Sequence, residues 1–455
     1  MFRFFQHCGE RAETETMTTS ISARVFLVRR SDGVAARTNR SRCSTRPTQI
    51  RPPPWLSFRS SIWGGISPPN RRMRPALRRA MVTRAAADDS NSGLGLLNWF
   101  GPVIPQGAVV TGVKAGWKAA WQTMVTELAP QSRDGEYQRP KYAFDGAIAE
   151  DPKAKFPSVS GRYVLYVGNA CPWCHRVTLT VALRGLEDRV RIVKMTDDAE
   201  RASRGGWVFE SDRPDPVFRA KDLREVYDAS FQYEGRCTAP LMVDGERKVP
   251  VNNESADIAR MLNDVEWLGG MNGPNRSSRH DEGSVQLRPP ELANEIDTLN
   301  DWLYTKLNNG VYRCGFSTNQ AAYNRAAVDV VEALDALERR LGESRFVLGD
   351  KVTESDVRAF PTIVRFDAVY ATLFKCQSRR VADMPNLNAW MRDFYLLPGV
   401  SETVDVDGYR SSYFGQLFPL NPGGIVPTGP TERNLGLGVD PARGSRAHSD
   451  LFHFK

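Results

Sequence analysis

Apolar and polar positions follow two different periods along the chain, and the period changes near residue 290. Tyr163 to Val167 is an uninterrupted β-branched and aromatic run, which predicts a buried strand. Gly168 and Asn169 then turn the chain, and apolar positions from Val177 to Leu186 recur at helical spacing. Arg189 to Met195 alternates as a second strand should, and Thr238 to Val243 predicts a third, entered through Pro240. Asp244-Gly245 is a hairpin turn signal, with Lys248 to Val251 as the returning strand. Asn252-Asn253-Glu254-Ser255 opens a helix that runs to about Leu262.

This order is β-α-β, a charged insert over 196–233, then β-β-α. It predicts a thioredoxin-like fold, with Pro240 as a candidate cis-proline. A Gly-, Ser- and Arg-rich linker over 266–289 separates it from an all-helical region. There Leu292, Ile296, Leu299, Leu303 and Leu307 recur at helical spacing, as do Val330, Leu334, Leu337 and Leu341. Thr353-Glu-Ser-Asp356 resembles a capping box ahead of an apolar run. A further helix is predicted over about 386–397, before Pro398-Gly399. The resulting division is a thioredoxin-like domain over 142–265, a helical domain over 290–420 and an irregular Gly- and Pro-rich tail over 421–455. Residues 88–141 form an extension in which Gly112 to Val125 has weak helical amphipathicity, predicting a helix docked on the core.

Charge alters the picture only at the N-terminal end. The chain of 455 residues carries a formal net charge of +8. Residues 1–87 contain 17 Arg, no Lys and four acids, whereas the rest holds 44 basic against 49 acidic residues. The basic excess therefore sits in an Arg- and Ser-rich leader, and a nucleic-acid-binding function based on overall basicity is excluded. Such a leader is expected to be a transit peptide, with Val82 to Ala87 as a processing region and a plastid as the destination, ahead of mitochondrion or cytoplasm. No run of about 18 apolar residues predicts a membrane span. Seven cysteines, sparse and irregularly spaced, argue for a reducing compartment rather than a secreted disulfide framework.

Two of those cysteines lie together, in Cys171-Pro-Trp-Cys174-His175. Cys171 falls at the strand-to-helix junction, with Pro172 suited to the first helical position. Unpaired N–H groups and the positive end of the helix dipole favour a thiolate there. The pattern formally matches a c-type haem attachment site, but it interrupts a strand–helix unit. Zinc would need two further ligands, and Cys237, Cys314 and Cys376 are isolated, so no metal is assigned. A buried structural pair is the third reading and a redox or transferase nucleophile the fourth. The junction favours the nucleophile; His175 reads as a surface or packing residue.

Cys171-Pro-Trp-Cys-His-Arg176, Val251-Asn-Asn-Glu-Ser255, Asn308-Asn-Gly-Val-Tyr-Arg313 and Val364-Arg-Phe-Asp-Ala-Val-Tyr370 together resemble the Xi-class glutathione transferases, the glutathionyl-hydroquinone reductases. Phe374-Lys-Cys376, Pro398 to Val404 and Asn421 to Val426 extend the likeness across about 142–430. The resemblance implies a thioredoxin-like domain followed by a helical glutathione-transferase domain, paired as a homodimer. It implies that Cys171 attacks the sulfur of a glutathionyl-hydroquinone, that Tyr312 gives the ring carbon its proton, and that Tyr370 and Tyr413 lower the cysteine pKa. Glutathione is then the co-substrate, held by Trp207, by Arg236, Cys237, Thr238 and Ala239 before Pro240, and by Glu254 and Ser255. On spacing alone Ser255 reads as a helix cap and the tyrosines as core aromatics; the family match is what gives them roles.

The chain departs from the family in having Cys174 where Ala is common. Cys174, one helical turn on, can attack a Cys171 mixed disulfide. That feature favours the competing reading of a glutaredoxin-like dithiol reductase or deglutathionylase. A non-catalytic carrier of quinones is a third reading, but a carrier needs neither Cys171 nor the three tyrosines.

Overall fold

The computed structural model describes residues 105–140, 142–230, 233–266 and 284–455. The leader over 1–87, the start of the extension and most of the expected linker lie outside these residues. Strand β1 (Tyr163–Gly168) is buried along its whole length and forms the centre of a five-stranded sheet. Helix α1 (Gln106–Leu128) precedes it. After β1 come α2 (Pro172–Arg184), β2 (Arg191–Asp197), β3 (Trp207–Val208), α3 (Leu223–Ser230), β4 (Leu241–Asp244), β5 (Val249–Asn252) and α4 (Ser255–Asp264).

The sheet order is β3-β2-β1-β4-β5, with β2 parallel and β4 antiparallel to β1. Alternate residues of β1 feed two cores, as the two-residue period of a strand requires. Leu165 and Val167 pack with Val177 and Val181 of α2 and Ile258 and Leu262 of α4, while Val164 and Tyr166 pack with Leu223, Val226 and Tyr227 of α3. This is the thioredoxin-like fold, and the Ala239–Pro240 bond is cis. Helix α3 lies inside the stretch whose sequence reads as a charged insert. Its eight residues hold only a short apolar stripe between charged flanks, too few turns for a periodic signal.

Strand β6 (Val285–Gln286) leads into α5 (Ala293–Leu303), α6 (Gly310–Gly315), α7 (Gln320–Glu343), α8 (Glu354–Arg365), α9 (Ala371–Leu373), α10 (Pro385–Tyr395) and α11 (Val406–Gln416). Ile296, Leu303, Leu307, Val330, Leu334, Leu337 and Leu341 are buried as their spacing predicts. The capping box at Thr353 and Asp356 is formed, and Asp356 also accepts a hydrogen bond from Trp390 at 3.0 Å. Most of the tail is irregular, but it ends in α12 (His448–Leu451) and β7 (His453–Phe454). Strand β7 pairs with β6, so the expected linker carries a strand at its C-terminal edge. Buried Leu435, Leu437 and Leu451 fasten the tail to the helical core.

Helix α1 is longer than its weak amphipathicity suggests and docks only through its last turns. Val125 is buried and Trp121 packs on the core, whereas Val113 and Trp117 are 66% and 55% exposed. No helix among the described residues is long and apolar enough to cross a membrane.

Candidate active site

Cys171 is the N-cap residue of α2, in extended conformation, with Pro172 in the first turn. Its sulfur is approached by the Cys174 backbone N–H at 3.5 Å and lies 3.7 Å from the carbonyl oxygen of Ala239, the residue before cis-Pro240. Burial pushes the thiol pKa up. Hydrogen bonds from the Cys174 thiol and from the Cys174 and Trp173 N–H groups outweigh that, helped by the charge of Arg139, and bring it down to about 7. Cys174 is moved the other way. Burial first, then its hydrogen bond to Cys171 and the charge there, hold it well above the ordinary thiol value. Its own sulfur accepts the Gly168 N–H at 3.3 Å. Of the pair, Cys171 is biased toward the thiolate and Cys174 is held as the proton-bearing thiol.

Two consequences are measurable. Alkylation of Cys171 by iodoacetamide should have its midpoint near pH 7, against about 8.5 for an unperturbed cysteine. Because a lowered pKa means the thiolate is favoured, Cys174→Ala should move that midpoint upward by roughly a unit. A midpoint indifferent to the substitution would remove Cys174 from the account.

A cavity of about 420 Å³ opens onto the sulfur. Tyr312 and Tyr413 line it, together with Trp173, Trp207, Arg236, Cys237, Thr238 and Ala239. Two π-helical turns aim the tyrosines, a distortion found often at functional sites. Tyr304–Asn308 displaces the chain just before Tyr312, and Phe366–Tyr370 ends on Tyr370. Asn308 fixes the first of these: it accepts from Arg176 at 2.7 Å and donates to the Arg358 carbonyl at 2.9 Å and to Thr362 at 2.8 Å. The Tyr312 and Tyr413 hydroxyls are 2.5 Å apart, and those of Tyr370 and Tyr413 3.3 Å. Burial, and the charge of neighbouring groups, raise the pKa of Tyr312 and Tyr413 well above the usual phenol value, and burial raises Tyr370. The three phenols therefore stay protonated at neutral pH. Their hydroxyls bond to one another, and the groups that donate to the Cys171 sulfur are those of Trp173 and Cys174.

Of the glutathione-binding candidates, Trp207 and Arg236 to Ala239 line this cavity, whereas Glu254 and Ser255 follow its lining residue Asn253 without lining it themselves. Gly168 leaves room for the Trp207 ring, since a Cβ there would run into it. Arg236 is turned away to the end of α1, donating to the carbonyls of Leu128 at 3.0 Å and Glu127 at 2.8 Å. Thr238 accepts a hydrogen bond from Asn253 at 3.1 Å through its hydroxyl, and Cys237 lies 3.9 Å from Arg224. Glu254, not Ser255, caps α4, accepting from the Ala256 N–H at 3.0 Å, and Ser255 donates to Glu254 at 3.2 Å.

Sequence reasoning gives no role to three further residues. Of the two places open to His175, surface or packing, the structure has packing. Its Nδ1 accepts from Arg365 at 2.9 Å, leaving Nε2–H to donate to Thr403 at 2.9 Å. Arg365 is fully buried and also donates to the Ala170 carbonyl beside Cys171 at 3.1 Å. Arg139, from the segment before β1, lies with its guanidinium carbon 3.8 Å from the centre of the Trp173 ring. No periodicity marks any of them, because each acts across elements distant in sequence.

Residues 170–265 match the family model of the glutathione S-transferase N-terminal domain and residues 320–393 that of the C-terminal domain. The chain is 37% identical to the glutathionyl-hydroquinone reductase YqjG of Escherichia coli over 71% of this chain and 95% of that protein. The solved structure of the Xi glutathione S-transferase of Phanerochaete chrysosporium is 36% identical. It superposes with a TM-score of 0.59 over 65% of this chain and 97% of that one. The chain is a Xi-class glutathione transferase. Other members bear the same likeness. The glutathionyl-hydroquinone reductase PcpF of Sphingobium chlorophenolicum is 36% identical over 73% of this chain and 98% of its own length. The glutathione-bound structure of the Escherichia coli homologue is 37% identical, with a TM-score of 0.57 over 63% of this chain and 93% of that one.

Proposed function

We propose that this Xi-class transferase reduces glutathionyl-hydroquinones to hydroquinones. One observation carries the reading: a thiol biased toward its thiolate and a phenol biased to keep its proton line the same cavity. The ring carbon bearing sulfur takes a proton, with Tyr312 as donor, while a ring hydroxyl gives one up, so the ring becomes a dienone. Cys171 then attacks the glutathione sulfur. The new S–S bond forms as the C–S bond breaks, and its electron pair restores the aromatic ring with the charge on oxygen. Sulfur is oxidised to a mixed disulfide and the ring is reduced. A second glutathione thiolate attacks that disulfide, returning Cys171 and releasing oxidised glutathione.

Steady-state turnover of a glutathionyl-hydroquinone, with hydroquinone and oxidised glutathione formed one for one, tests the reading. Tyr312→Phe should lower kcat by about 100-fold with KM little changed, the usual scale for a general acid. Unchanged kcat would move the proton donor elsewhere. The hydrogen bond between the two cysteines supports the dithiol route as a second reading. If Cys174→Ala abolishes turnover and the parent reduces small disulfides, that route is the activity; retention of most turnover assigns the monothiol cycle.

Trp207, Arg236 to Ala239, Glu254 and Ser255 are proposed to hold glutathione, and the family resemblance supports a homodimer. The Arg- and Ser-rich composition of residues 1–87 supports import into a plastid. A fluorescent protein fused behind those residues that stays in the cytosol would sink the import proposal.

A further inference from the structure

The cavity wall holds a cation whose one part so far is to help lower the Cys171 pKa. Arg139 precedes the thioredoxin-like fold and is brought back onto it by its stacking on Trp173, at 3.8 Å. Its Nε donates to the Tyr142 hydroxyl at 2.8 Å. That is a neutral partner, and among the described residues no carboxylate forms an ion pair with Arg139. A guanidinium carries five N–H donors, so several remain to be satisfied. Trp173 also sets Arg139 beside the reacting groups, because its ring centre is 6.0 Å from that of Tyr312 and it follows Cys171 by two residues. Arg139, Tyr142, Cys171 and Tyr312 all line the one cavity. Arg139 is half-buried, and a cation partly withdrawn from water gains from an anionic partner.

We infer that Arg139 binds an anionic oxygen of the substrate through the N–H groups that no described residue engages. The inference rests on the function proposed above, which supplies two such oxygens. One is the α-carboxylate of the γ-glutamyl arm of glutathione. Its amine would be taken by Glu254, whose charge is felt at Tyr142. The other is the hydroquinone oxygen that becomes negative as the C–S bond breaks. Arginine suits either, since its planar fork pairs with oxygen anions in fixed geometry.

The test compares the full chain with R139Q, which removes the charge, and R139K, which keeps it. In the first arm, both substitutions are placed in a Cys171→Ala background, and binding is measured for glutathione and for an analogue lacking the γ-glutamyl α-carboxylate. In the second, 4-nitrophenol reports by its visible absorbance how far the cavity favours phenolate over phenol. If the carboxylate is the ligand, R139Q weakens glutathione by on the order of 10- to 100-fold, leaves the analogue unaffected, and R139K recovers part of the loss. If the oxygen of the ring is the ligand, glutathione binding is unchanged. The phenolate preference then falls by about tenfold or more in R139Q, and kcat falls without KM. Changes within twofold in both arms overturn the inference. A loss in one arm, in a protein whose parent never turns over glutathionyl-hydroquinone, would instead sink the proposed function and leave Arg139 in place.

Discussion

Cys171→Ala is expected to abolish reduction of glutathionyl-hydroquinones, with turnover falling by at least about four orders of magnitude to the uncatalysed level. The alanine keeps the backbone of the α2 N-terminus, so the N–H groups of Trp173 and Cys174 remain directed at the cavity. What is lost is the sulfur that is both ionised near pH 7 and open to a substrate. Cys174 cannot replace it: it is 1% exposed, and burial holds it protonated. Cys237 also lines the cavity, but burial raises its thiol pKa as well. The same variant should still bind glutathione, because neither Glu254, Trp207 nor the backbone around Ala239 is altered. Binding without turnover separates the mechanism from the carrier reading, for which turnover was never present. Residual reduction above about one per cent, with hydroquinone identified as the product, would show that the S–S bond does not form on Cys171.

The strand–helix junction at Cys171 was legible because three local signals agree there: a buried β-branched run, a turn, and proline at the start of an apolar-periodic helix. The helical domain was legible from period alone at Leu334, Leu337 and Leu341. Helix α3 was not, since Leu223, Val226 and Tyr227 are too few to outweigh charged neighbours, and only contact with β1 shows them to be core. Tyr312, Tyr370 and Tyr413 were assigned by family likeness rather than spacing. Their meeting point depends on two π-helical turns, which shift the register that a 3.6-residue period assumes. His175 could not be placed between surface and core, because nothing near it in sequence says what covers the start of α2. A buried arginine from the helical domain covers it.

That arginine gives the second large effect. Arg365→Met should lower the stability of the protein by about 3–5 kcal/mol, a scale reached when a buried polar network loses a member. Its guanidinium donates to the carbonyls of Pro361 at 2.9 Å and Ala170 at 3.1 Å, approaches that of Asn169 at 3.5 Å, and donates to His175 Nδ1 at 2.9 Å. Its central carbon lies 3.5 Å from the centre of the Tyr409 ring. Methionine fills much of the volume but satisfies none of these acceptors, and each buried carbonyl left without a donor costs about 1–3 kcal/mol. Arg365→Lys keeps the charge but not the fork, so its loss should be smaller. The same contacts tie the helical domain to the loop that ends in Cys171, so the methionine variant should also lose turnover per folded molecule. With the cation gone, His175 should become easier to protonate. At present burial and the Arg365 charge hold its pKa well below 6.5, so it is neutral when folded. A depressed histidine costs stability as the pH falls below about 6.5, where the unfolded chain binds a proton that the folded one refuses. The parent should therefore lose stability below that pH, and Arg365→Met should lose less of it there. Urea midpoints taken at about pH 7.5 and 5.5, on either side of the unfolded histidine value, decide the matter. A variant as stable as the parent at the higher pH would show that the network does not hold the two domains together.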